Sequence, residues 1–147
     1  MNYLINEALF KLPDPTPTDY TINMIKLNQL GANLAIGRGQ MQPDETSLEE
    51  NVKRQLEALD RQVSSLRIQN QSACQIGENL QYPAFEIQSR FVRGNEIIYQ
   101  HQVILQIPDT DKTLVFTYSK PTAMNEQDAQ AWQAIKSSIR LAQANPQ

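Results

Sequence analysis

Residues 85–107 read FEIQSRFVRGNEIIYQHQVILQI, two long runs rich in β-branched, aromatic and glutamine residues divided by Arg93-Gly94-Asn95-Glu96. Each run is long enough for a full strand, and a Gly-Asn centre suits the positive φ of a tight hairpin turn. The pair therefore predicts two antiparallel strands, Phe85–Arg93 and Glu96–Ile107. Side chains alternate between the faces of a strand. His101, Val103, Leu105 and Ile107 share one face, which suits a core beneath helices. Gln100, Gln102, Ile104 and Gln106 share the other, which mixes one aliphatic with glutamines and holds no charge. A strand face turned to water ordinarily gathers Lys, Glu, Arg or Thr.

Downstream, Pro108-Asp109-Thr110-Asp111 predicts a turn and Lys112–Ser119 (KTLVFTYS) a last strand. In that strand Val115 and Thr117 lie opposite Leu114, Phe116 and Tyr118. Asn125, with Asp128 three residues on, then predicts a helix start. Its apolar stripe is Ala129, Trp132, Ile135, Ile139 and Ala142. Upstream, Ser47 and Glu50 have capping-box spacing. Leu48, Val52, Leu56, Leu59 and Val63 follow in steps of three and four, predicting an amphipathic helix over Leu48–Val63. Leu66–Gln69 and Ser72–Gly77 read as two short strands. Thr21–Leu27 and Ala32–Arg38 read as a hairpin around Gly31, and Asn2–Leu12 as one strand or two short pieces. Pro13, Pro15 and Pro17 separate that first segment from the rest. The fold expected is a single α+β domain over residues 1–147: a curved antiparallel β-sheet with two amphipathic helices on one face.

Composition excludes several function classes. The net charge is −3 and the pI about 5.1, and the 13 Lys and Arg are scattered. A nucleic-acid partner would want a basic stripe. One cysteine, Cys74, and one histidine, His101, give no metal-ligand spacing. A Cys–His nucleophile pair would need those two to meet in space. Gly37-Arg38-Gly39 lacks the rest of a phosphate loop. The carboxylates Glu49/Glu50 and Asp109/Asp111 fall at a helix start and in a turn, where local roles explain them. No enzyme, metal or other cofactor is expected. The start of the chain has no basic n-region followed by an apolar stretch, and no run approaches the roughly 18 apolar residues of a membrane span. The expected location is the cytoplasm, with no stable membrane insertion.

The uncharged second face recurs along the sheet. Ile22 and Met24 share a face, as do Ala35 and Gly37 opposite Leu34 and Ile36. With Leu66, Gln102, Ile104, Gln106 and Val115 they form the candidate binding set. A second core layer, a dimer interface and a ligand groove are all compatible with such a face.

The residues Met1-Asn2-Tyr3-Leu4-Ile5-Asn6-Glu7, Leu12-Pro13, Tyr20–Met24 and Leu34–Arg38, followed by a Glu-rich helix, three long strands and a helix with a tryptophan, resemble the Eag family of type VI secretion effector chaperones. The resemblance covers essentially the whole chain through diffuse patterns. It implies a PsbP-like fold and a homodimer whose sheets shape a concave groove. The implied client is the hydrophobic N-terminal transmembrane helices of a PAAR-containing, Rhs-type effector, held soluble until loading on the VgrG spike. Ile22 and Met24 match the family's client-binding positions, whereas Gly37 stands where many relatives have Ser. The competing expectation is a non-enzymatic accessory or structural module of the same fold.

Overall fold

The computed structural model describes residues 1–142. Eight strands and two helices follow one another as β1 (Asn2–Leu4), β2 (Leu9–Lys11), β3 (Asn23–Leu27), β4 (Ala32–Gln40), α1 (Leu48–Gln62), β5 (Ser64–Ile76), β6 (Tyr82–Arg93), β7 (Glu96–Gln106), β8 (Lys112–Lys120) and α2 (Glu126–Ser138). Six strands form one open antiparallel sheet in the order β3-β4-β8-β7-β6-β5. The chain is thus α+β, as its pattern predicts. β1 and β2 form a separate two-stranded hairpin.

The β6–β7 hairpin lies inside the sheet, flanked by β5 and β8. Gly94 takes φ 62° at its turn, a conformation open to glycine without steric cost. Gly31, at φ 63°, does the same between β3 and β4. The two short strands expected at Leu66–Gln69 and Ser72–Gly77 are one strand, β5. Register shifts between Ser64 and Arg67 and between Ile68 and Asn70 interrupt its ladder, and Ser65 is left-handed at φ 55°. Extra residues at bulges break the alternation that a sequence reading relies on.

Both helices begin where their caps predict. The Ser47 hydroxyl accepts from the Glu50 N–H, while the Glu50 carboxylate turns back to the Thr46 N–H. At α2 the Asn125 side chain accepts from the Asp128 N–H and Asp128 accepts from the Asn125 N–H, a complete capping box.

The expected placement of both helices on one face is corrected. Val103, Leu105 and Tyr118 pack with Trp132 and Ile139, so α2 covers the face of odd-numbered β7 residues. Ile104, Phe85 and Ile87 pack with Val52 and are joined by Leu48 and Leu56, so α1 covers the opposite face. Ile104 and Leu105 are neighbours on one strand and must point apart. The apolar stripes showed that each helix needs a sheet surface, but they carried no information about which one. The core therefore lies in two layers, one on each side of the sheet.

Candidate functional site

The ladder of paired residues sorts the candidate residues by row. On the α1 face one row runs Met24, Ala35, Thr117, Gln102, Ile87 and Gln71 across all six strands. The next runs Gly37, Val115, Ile104, Phe85 and Ala73. α1 contacts β5, β6 and β7. The remainder of these rows, over β3, β4 and β8, forms an uncovered strip beside the helix.

The structure brings Met24, Ala35, Gly37, Val115 and Gln102 together on or beside this strip, with Ile22 just ahead of β3. Met24 is 72% exposed and Ile22 60%. Ala35, Gly37, Val115, Thr117 and Gln102 are half-buried. A Cβ placed on Gly37 would meet no atom within 4 Å, so open space lies above it. Gln102 donates from Nε2 to the Thr117 hydroxyl at 3.1 Å. That bond ties the amide to the neighbouring strand β8.

Three candidates lie elsewhere. Ile104 is 1% exposed beneath α1 and supports the helix rather than the strip. Leu66 sits on β5, the sheet edge opposite β3, beside a bulge. Gln106 is exposed at the end of β7, and its amide donates to the Thr110 carbonyl at 2.7 Å. Thr117, not singled out by sequence, occupies the row between Ala35 and Gln102. Its parity with Val115 was readable, but its neighbours depend on β8 inserting between β4 and β7, which no local pattern announces.

Under α2 the charged groups Asp128, Lys120, Glu86 and Lys136 are paired. Asp128 is 1% exposed and accepts from the Tyr118 hydroxyl at 2.6 Å and from Lys120 Nζ at 2.9 Å. Burial pushes its carboxyl up. The bonds from Tyr118, Lys120 and the Asn125 N–H outweigh burial and hold it below the usual carboxylate range. Glu86 accepts from Trp132 Nε1 at 3.1 Å and from Lys136 Nζ at 2.9 Å. His101 stacks on Trp132, rings 5.6 Å apart and 16° from parallel, and its buried Nδ1 has no hydrogen-bond partner. Burial lowers its pKa and favours the neutral ring. Cys74 is half-buried on this face, and burial followed by the charge of Glu86 pushes its thiol up. It lies two strands from His101, with β6 between them. A thiol raised in this way is a poor nucleophile.

At the start of α1, Arg54 grips Glu45 at 2.9 Å and holds its carboxyl down to about 2, helped by the Gln42 N–H. Asn51, fully buried, donates to the Gln40 carbonyl and to Glu45, tying the helix to the end of β4. These contacts anchor α1 beside the strip. Among the described residues no three of His, Cys, Asp and Glu converge as metal ligands, and no helix is long and apolar enough to cross a membrane.

The sheet is thus open and antiparallel, with one helix on each face, and its α1 face carries beside the helix a row from Met24 to Gln102 without charge, next to the exposed Lys26 on β3. The DcrB family model matches residues 7–138, and the chain belongs to the DcrB family. A crystal structure of a Pseudomonas aeruginosa protein of unknown function, suggested to be a regulator, shares the fold. It has a TM-score of 0.73 and 23% identity, and the match covers 97% of this chain and 98% of that one. No curated protein matches.

Proposed function

We propose that this chain is a cytoplasmic chaperone, acting as a homodimer, that shields the hydrophobic N-terminal transmembrane helices of a PAAR-containing, Rhs-type effector of type VI secretion until the effector is loaded on VgrG. One observation carries this reading: an uncharged, uncovered strip of sheet from Met24 to Gln102, bordered by α1. Strands lie about 4.8 Å apart, so β3 to β8 span about 10 Å. That is about the diameter of one α-helix with its side chains.

The chemistry of the strip suits such an occupant. Apolar helix surface in water costs about 25 cal/mol per Å2, which Met24, Ile22 and Val115 can relieve. Met24 is unbranched and polarizable and adapts to varied partners. Ala35 and the space above Gly37 let a helix backbone approach closely, as small residues do between membrane helices. Gln102 and Thr117 offer amide and hydroxyl groups to Ser, Thr or carbonyl groups on the client at lower burial cost than a charge. The resemblance at Tyr20–Met24 and Leu34–Arg38 falls on the two strands that border the strip.

Co-expression with a PAAR-containing, Rhs-type effector that carries N-terminal apolar helices tests the reading. The intact effector should co-purify with this chain, and an effector lacking its N-terminal apolar helices should not. Capture of both forms, or of neither, overturns it.

A further inference from the structure

On the α2 face, the row of the ladder next to His101 and nearer the β6–β7 turn runs Arg67, Arg90, Tyr99 and Lys120. Two arginines therefore stand directly opposite one another on β5 and β6, Arg90 half-buried and Arg67 exposed. Like charges in that position destabilise a sheet. The carboxylates packed beneath α2 are already committed, Asp128 to Lys120 and Glu86 to Lys136. Glu126, in the first turn of α2, pairs with neither arginine. Among the described residues Arg67 and Arg90 have no ion-pair partner.

A pocket of about 180 Å3 opens in the same place. Gln88 and Tyr99 line it where β6 and β7 run side by side, Gln69 lines it from β5, and Ala123 and Met124 line it from the segment ahead of α2. Gln88 stands two residues before Arg90 and shares its face, and Tyr99 is the cross-strand partner of Arg90. Gln69 is the extra residue at the register shift between Ile68 and Asn70. Bulges of this kind re-aim a side chain, often beside a functional site. The lining thus offers two amides and a phenol, and no charge of its own. At about 30 Å3 per liquid water, the pocket holds about six water volumes. That admits a small organic molecule and is too narrow for an α-helix.

We propose that this pocket binds a small organic oxyanion, a phosphate ester or a carboxylate of a few carbons. Arg67 and Arg90 hold the charged group, and Gln69, Gln88 and Tyr99 meet the polar body of the ligand. Guanidinium groups are planar forks that match carboxylate and phosphate oxygens in pairs. The ligand supplies the counter-charge that the fold leaves out, and it turns a repelling cross-strand pair into one held together. The site lies on the face opposite the strip beside α1, so it is independent of what the strip binds.

Thermal unfolding and isothermal titration of the purified chain test this, with glycerol 3-phosphate and glutarate as probes and glycerol as the uncharged control. A probe with a Kd of about 1 mM, supplied at about 10 mM, should raise Tm by about 3 °C, and glycerol should leave it unchanged. Arg90→Gln and Arg67→Gln should each weaken the probe at least about ten-fold. Without a probe, both variants should be at least as stable as the parent in low salt, because each relieves the cross-strand repulsion. Binding of one probe alone supports the site and identifies its oxyanion as a phosphate or a carboxylate. Binding of neither probe, or binding of equal strength in the parent and both variants, overturns the proposal. Variants that lose stability in the absence of any probe overturn it as well, because the arginines would then serve the fold and not a ligand.

Discussion

Beneath α2 the core holds Glu86, Lys120, Asp128 and Lys136, charged groups closed into two ion pairs, whereas the row from Met24 to Gln102 on the opposite face holds no charge at all. The difference separates two uses of polarity. Charges can be sealed into a core when a fixed partner from another element meets each one, and the α2 face is closed in this way. A surface that must accept a foreign apolar segment has no fixed partner to offer, so amides, hydroxyls and small residues replace charges. The α2 face is closed by fixed partners, and the strip beside α1 is left open.

Breaking the closed face should have the largest effect. Asp128→Ala leaves Lys120 buried without its partner, frees the Tyr118 hydroxyl and removes half of the α2 capping box. Removing one member of a buried pair costs about 3–5 kcal/mol. Urea unfolding should show a loss of that size, and a loss under 1 kcal/mol would mean that α2 does not depend on this contact.

Next comes the boundary between the covered and open halves of the α1 face. Ile104→Ala removes a side chain packed with Val52, Phe85 and Ile87, at a cost of about 2–5 kcal/mol. Hydrogen exchange should quicken across α1 first. The folded variant should still capture effector, because Ile104 is covered and supports the helix. Loss of capture with α1 still protected would return Ile104 to the binding strip.

The open half should respond in the opposite way. Ile22→Asp/Met24→Asp changes two exposed residues, so stability should shift by less than about 0.5 kcal/mol per site. Effector capture in the co-expression assay should nevertheless be lost. Retained capture in a folded double variant breaks the contrast between the two faces.

The fold was legible wherever a signal was local. The alternation of Gln100 to Ile107 gave both faces of β7, and Ser47 and Asn125 gave both helix starts. What the sequence did not carry was relative placement. The stripes at Val52 and Trp132 look alike, and only the packing of Ile104 against one and Leu105 against the other assigns them to different sides. β5 was read as two pieces because its bulges break alternation near Ser65 and Gln69. Strand parity gave Met24, Ala35, Gly37 and Gln102 one by one. Their alignment into a strip depends on β8 crossing back beside β4, a pairing of residues about eighty apart in the chain. Leu66 is aliphatic like Val115 but lies at the far edge, because strand order is invisible to parity.

The smallest expected effect is a pH dependence confined to the closed face. Burial lowers the His101 pKa below the roughly 6.5 of a free histidine, so the folded chain keeps a neutral ring where the unfolded chain binds a proton. In that window the unfolded state holds more protons, and stability must fall as pH drops below about 6.5. Glu86 and Asp128 oppose the shift and Lys136 reinforces it, which keeps the effect modest. Asp128, held below the usual carboxylate range, adds stability that is present above about 3.9 and is lost only as pH falls further, through its folded value. Two separate losses should therefore appear on acidification, one beginning near neutrality and one in strong acid. His101→Gln cannot titrate, so it should remove the first and spare the second. Unfolding free energies measured between pH 7.5 and 5 that fall equally in the parent and the variant would show that the ring beneath Trp132 is not kept neutral by the fold.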